Sequence, residues 1–160
     1  MANVRAAEGT LLSELAAVLP DDAIVDDRDR LASYRHDQAV GVPAGEPAVV
    51  VFPRTTAEVS AVLSAAHERR IPVVPRGAGS GLAGGANAVD GCIVVCLERM
   101  RTIVEVNAGN GYAVVEPGVV NQELREHVRG TASGTPPTRP RATGARSVAT
   151  STQTRAASAA

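Results

Sequence analysis

The stretch Pro75-Arg76-Gly77-Ala78-Gly79-Ser80-Gly81-Leu82-Ala83-Gly84-Gly85-Ala86 decides how the rest of the chain is read. Five of its twelve residues are glycine, and it follows directly on Ile71–Pro75, a short apolar run that reads as a strand. Glycine takes positive φ without steric penalty and lets a ligand approach the backbone. Successive amides in such turns form concave nests that hold anions. Ser80 adds a hydroxyl donor and Arg76 a positive charge, so the ligand the loop suits is a phosphate or pyrophosphate. Gly79, Gly81 and Gly84 also spell GxGxxG, but a Rossmann fingerprint must open an amphipathic helix. Gly85-Ala86-Asn87-Ala88-Val89-Asp90-Gly91 cannot make one. The loop must bind with its own backbone.

Outward from the loop, the pattern alternates. Before it, Thr55 and Glu58 stand at capping-box spacing, and Val59, Val62, Leu63 and Ala66 share a helical face that ends near Arg69 and Arg70. Ala48–Phe52 reads as a buried strand. Leu11, Leu12, Leu15, Val18 and Leu19 place a helix over residues 8–19, stopped by Pro20. A short helix is expected over Arg28–Tyr34, capped by Asp26 or Asp27. After the loop, strands are expected at Cys92–Leu97 and Arg101–Val106. The turn formers Asn107–Gly111 make Thr102–Val106 and Tyr112–Val115 a hairpin, and Val119–Val128 reads as a last helix. This order gives an α+β or α/β fold.

Composition narrows the function classes. The chain has 160 residues, 44% hydrophobic and 2% aromatic, with a formal net charge of −1. Three aromatics, Tyr34, Phe52 and Tyr112, are too few for a base-stacking platform, so nucleic acid is not an expected partner. No stretch reaches the roughly 20 apolar residues of a membrane span, and Met1–Thr10 lacks a secretory signal's apolar core; a cytoplasmic location is expected. Cys92 and Cys96 read as small buried hydrophobes, kept reduced there. His36, His67 and His127 are scattered, so no metal site is expected, and no catalytic triad is assigned. The runs Asp21-Asp22 and Asp26-Asp27 read as solvated surface or helix caps.

Several motifs in order resemble a known family. Pro53-x4-Glu58-Val59, then Ile71–Leu82, then Gly84-Gly85-Ala86, Met100 with Val104-Glu105-Val106, and Val115-Glu116-Pro117-Gly118-Val119 with Leu124 resemble the FAD-binding domain of the vanillyl-alcohol-oxidase (PCMH-type) flavoproteins. The likeness is greatest to the glycolate oxidase FAD-linked subunit and D-lactate dehydrogenase branch. The resemblance implies an α+β PCMH-type FAD-binding domain, truncated after its N-terminal α/β subdomain, and an oxidoreductase of 2-hydroxy acids. It implies FAD contacts at Pro75, Arg76, Gly77, Ala78, Gly79, Ser80, Gly81, Leu82, Gly84, Gly85, Pro117 and Gly118. Some relatives attach flavin through a histidine in this loop; none stands here, which implies non-covalent FAD. The alternative is a nucleotide-binding or inert fragment without catalysis.

The expected layout is an N-terminal helical segment over 1–34, a partial FAD-binding domain over 35–129, and a disordered tail over 130–160. Residues 1–129 carry twelve arginines against seventeen acids, whereas 130–160 carry four arginines, no acid and one large aliphatic, Val148. Such a tail cannot bury enough apolar surface to offset its ordering entropy. Read out of phase, the possible codons of Gly130–Arg139 permit HGLWYPPDP, and those of Arg146–Ser158 permit VGGNVDTNAGGL. Both strings resemble what that flavoprotein branch carries next, so a frameshift near Val128–Gly130 is expected. The resemblance places the ring pocket and the substrate residues later in the family's chain, so this chain is not expected to be active alone.

Overall fold

The structure, a computed structural model, describes residues 2–131. It divides after Met100 into two compact units. The first holds a four-stranded sheet, and the sequence explains which strand lies where. Val49, Val50 and Val51 of β2 (Val49–Val51) are all fully buried. Neighbouring strand residues point to opposite faces, so β2 is covered on both sides. The same holds for β4 (Ile93–Cys96), whose four residues are all buried. β4 pairs in parallel with β2 on one side and with β3 (Val73–Arg76) on the other, in register Val50↔Val94 and Val74↔Val94. β1 (Ile24–Val25) pairs antiparallel with β2, giving the order β1-β2-β4-β3. β3 is therefore an edge strand, which is where Pro75, lacking an N–H, is tolerated.

The helices pack on this sheet's residues. α1 (Ala2–Val18) presents Leu11 and Leu15, with Leu19 just beyond it, to the core. Pro20 stops it as expected, although it begins six residues earlier than the apolar pattern indicated. α2 (Arg28–Ala32) is two residues shorter than expected; Asp27 caps it, its carboxylate accepting the Arg30 N–H at 3.0 Å. α3 (Thr56–Arg69) crosses from β2 to β3 and packs against α1. Its Thr55 hydroxyl accepts the Glu58 N–H at 3.1 Å, while Glu58 reaches back to the N–H of Arg54 at 2.7 Å. The box thus closes one residue earlier than the spacing rule has it. Val62 and Ala66 are buried, but Leu63, expected on the same stripe, is 45% exposed. α3 ends on Arg70, which takes a left-handed φ of 55°. The Arg70 N–H donates to His67 at 3.1 Å and the Ile71 N–H to Ala66 at 2.9 Å, a Schellman closure on a non-glycine residue.

The second unit contains the expected hairpin, β5 (Ile103–Asn107) against β6 (Tyr112–Val115), with a bulge between Ile103 and Glu105. The Asn107 side chain caps its turn by accepting the Asn110 N–H at 2.9 Å. At the open end, Thr102 and Glu116 exchange hydrogen bonds of 2.7 and 2.9 Å. α4 (Asn121–Thr131) starts two residues later than expected and runs past residue 129. The rest of the expected tail, 132–160, lies outside the described residues.

Candidate functional site

β3 and β4 are adjacent parallel strands, a pairing that ordinarily needs a crossover helix. Here residues 77–92 make the crossing as irregular chain. Without helix or ladder, its backbone groups need other partners. Among the described residues, the N–H groups from Gly77 to Gly85 take no partner in the hydrogen-bond network, whereas Ala86, Asn87 and Ala88 each donate one. The Ser80 hydroxyl is likewise unengaged among the described residues. These amides lie on a solvent-accessible chain with Gly79 at φ +66° and Gly84 at φ +78°, the kind of backbone that can offer N–H groups to an anion.

What holds this row in place lies partly elsewhere. Arg76 is 8% exposed, and its guanidinium donates to the His36 carbonyl at 2.9 Å and to the Ala86 carbonyl at 3.5 Å. It also lies 5.7 Å from the centroid of the Tyr34 ring. That ring meets Phe52 edge-on at 5.5 Å, with Arg99 over Phe52 at 5.0 Å. Two of the chain's three aromatics therefore buttress the loop's root. Arg76 places positive charge under the loop, but its hydrogen bonds go to carbonyls. Gly79 lies against that guanidinium so closely that a Cβ would overlap it. A Cβ on Gly81 would stand 3.0 Å from Asp37 Oδ2, and one on Gly84 2.7 Å from Val42 Cγ1. Gly85 faces open space, and Leu82 is 78% exposed. Pro75 sits within β3, and Ala78 is an exposed loop residue. Pro117 and Gly118 lie in the second unit, between β6 and α4.

The residues that sequence reasoning missed belong to the segment before β2. The Asp37 side chain accepts N–H groups from Ala39 at 2.8 Å and Ala86 at 3.4 Å. Its own N–H donates to Asn87 Oδ1 at 2.8 Å. The local signal was Asp37 itself, a carboxylate on an irregular segment that can accept nearby backbone N–H groups, with no partner named by the sequence. At the far end the Gly45 N–H donates to the Ala88 carbonyl at 2.7 Å, and a Cβ on Gly45 would overlap the Asp90 backbone.

The cysteines flank the sheet side of the site. Cys92 and Cys96 are free and buried. Burial pushes both thiols up, Cys96 to about 11. Cys96 Sγ stands 3.8 Å from the Gly77 carbonyl and donates to it. Both are inert packing thiols, as the sequence indicated. The acidic runs likewise act as caps and surface ties: Asp22 holds Arg54 at 2.5 Å and Arg99 at 2.8 Å. No helix among the described residues is long and apolar enough to cross a membrane.

A family model described as "FAD binding domain" matches residues 47–156. A probable mitochondrial D-lactate dehydrogenase of Danio rerio is 40% identical over 85 residues, covering 53% of this chain and 17% of that protein. The glycolate oxidase subunit GlcD of Bacillus subtilis is 36% identical over 91 residues, covering 57% of this chain and 19% of that protein. The chain spans about a fifth of the length of these curated relatives. Among solved structures, p-cresol methylhydroxylase with substrate bound superposes with a TM-score of 0.68 at 24% identity, over 77% of this chain and 24% of that one. That likeness speaks for the fold, and it is the PCMH-type fold the motifs implied.

Proposed function

The chain belongs to the FAD binding domain family, and from that premise we propose that the glycine loop grips the FAD pyrophosphate. Homologues of this family are FAD-linked oxidoreductases, and FAD is the family's cofactor. The contacts proposed in the first unit are Pro75 to Leu82 with Gly84 and Gly85; for Pro117-Gly118, in the second unit, the proposal rests on the family resemblance alone. The observation that carries this reading is the row of N–H groups from Gly77 to Gly85 without partners among the described residues. Gly79, Gly81 and Gly84 support it, because a Cβ at any of them would fill space between the loop and its supports. Attachment is non-covalent on this reading: no histidine stands in the loop, and the nearby thiols are buried.

When bound, FAD supplies the two-electron redox chemistry. The described residues supply grip and orientation: backbone donors for the phosphates, a Ser80 hydroxyl beside them, and Arg76 charge beneath. For the whole protein we propose oxidation of a small 2-hydroxy acid, a reading supported by the D-lactate and glycolate relatives. Catalytic residues are not assigned to this chain. A cytoplasmic setting is proposed with it, since no apolar secretory core stands in Met1–Thr10.

Titrating the purified chain with FAD, followed by flavin fluorescence, tests the site. FAD binds, ADP competes because it carries the pyrophosphate, and riboflavin does not. Gly79→Val and Gly81→Val abolish binding. Riboflavin competing as well as ADP, or either valine variant binding like the parent, overturns the assignment. The out-of-phase reading of residues 130–160 stays a proposal of its own, since the family match enters that stretch as far as residue 156. The coding DNA settles it: a shifted frame that does not continue as flavoprotein sequence ends that proposal.

A further inference from the structure

The segment before β2 forms a strap along the glycine loop, and it lies outside the residues that match the family model, which begin at 47. We propose that this strap positions the loop, with Asp37 and Asn87 as the positioning residues that hold its donors toward the anion. The proposal rests on the FAD reading for its ligand, but its geometry stands independently. Asp37 bonds in three directions: its carboxylate takes the N–H groups of Ala39 and Ala86, and its own N–H goes to Asn87. Asn87 is 8% exposed and completes the tie, its Nδ2 donating to the Val42 and Pro43 carbonyls, each at 3.3 Å. The Gln38 N–H donates to the Gly81 carbonyl at 2.8 Å, in the middle of the loop.

The arrangement has a directional consequence. The strap consumes the Gly81 carbonyl and, through Asp37, the Ala86 N–H, leaving the loop's other donors unspent. A glycine-rich chain has the largest conformational freedom to lose, and a ligand that must order it binds correspondingly weakly. Ties at Gly81, Ala86 and Asn87 remove that freedom in advance. A carboxylate in direct contact with an anion would repel it; here both Asp37 oxygens accept backbone N–H groups, so the residue acts through the loop.

The test uses the full chain and the variants Asp37→Ala, Asp37→Asn and Asn87→Ala. Backbone 15N order parameters of Gly79, Gly81 and Gly84 are near 0.85 in the parent and fall below about 0.6 in the two alanine variants. Asp37→Asn is intermediate, because its amide end cannot accept from Ala86. Hydrogen-exchange protection of Val50 and Val94 in the sheet stays unchanged, which a merely structural role would not allow. Should Asp37→Ala fail to fold, Asn87→Ala and Asp37→Asn carry the comparison. FAD affinity drops at least tenfold in the alanine variants. Order parameters unchanged in the folded variants overturn the inference, whatever binds. A parent that fails to bind FAD while the variants still loosen the loop removes the FAD reading and leaves the positioning role standing.

Discussion

Alanine placed at four of the loop's glycines gives a graded perturbation whose order follows from the structure. At Gly79 two effects add. A residue with a Cβ held at φ +66° is strained by roughly 1–2 kcal/mol relative to glycine. The new methyl also overlaps the Arg76 guanidinium, displacing a charged hydrogen bond to His36 that contributes roughly 1.5–3 kcal/mol. Together Gly79→Ala destabilises the first unit by about 2.5–5 kcal/mol. Gly84→Ala carries the same backbone strain at φ +78° but meets the end of the Val42 side chain, which can turn away, so about 1–2 kcal/mol is expected. Gly81→Ala meets only the Asp37 carboxylate at 3.0 Å, for less than about 1 kcal/mol. Gly85→Ala meets nothing and is neutral or stabilising by roughly 0.4–1 kcal/mol through the unfolded chain. Urea unfolding followed by circular dichroism reads the series. A Gly79→Ala midpoint indistinguishable from that of Gly85→Ala refutes the packing of the loop on Arg76, and with it the buttressed cradle.

Three further outcomes follow from local geometry. Arg70→Gly relieves a left-handed C-cap, and after the added chain entropy of glycine it raises stability by roughly 0.5–1 kcal/mol in the same urea assay. Burial raises the Cys96 thiol from the ordinary 9.0 to about 11. Its contribution to folding is therefore complete below pH 9 and lost as pH rises toward 11; at pH 8, iodoacetamide alkylates it in urea but not in the native chain. The Arg69 guanidinium, through its hydrogen bond, holds the Glu14 carboxyl below its ordinary value. A depressed carboxylate contributes above its unfolded pKa and loses that contribution as pH falls through the lowered one. The stability difference between the parent and Glu14→Gln should accordingly be present at pH 7 and shrink on acidification, as read by urea midpoints.

Residues with strong local signals were legible from the sequence. Thr55 and Glu58 announced the start of α3, Pro20 the stop of α1, and Asn107–Gly111 the hairpin turn, because each of these acts over four or five residues. The glycine loop was legible as an irregular crossing rather than a helix, because Gly85–Gly91 cannot open one. What the sequence concealed is set by tertiary partners. Nothing local to Asp37 says that it meets Ala86 and Asn87, some fifty positions away. Nor does Arg76 announce that its charge goes to the carbonyls of His36 and Ala86 rather than standing free. Leu63 fell outside the core for a related reason: the helical period marks a stripe, but the covering elements decide how wide a stripe is buried.

The missing crossover helix explains why GxGxxG misleads here and why, on the reading proposed above, the loop keeps amides to offer a phosphate. In a dinucleotide-binding βαβ unit the helix uses most of its amides internally and offers its N-terminal turn to the pyrophosphate. Between β3 and β4 no helix forms, so no amide from Gly77 to Gly85 is used in that way. The chain instead needs outside support, and the available partners are side chains and irregular backbone from residues 34–46. Glycines are required where that support approaches closely, at Gly79 against Arg76 and at Gly45 against Asp90. A loop of this kind is therefore not a portable motif. Transplanted without Asp37, Asn87 and the Tyr34–Arg76 buttress, the same twelve residues would lose the contacts that fix their path.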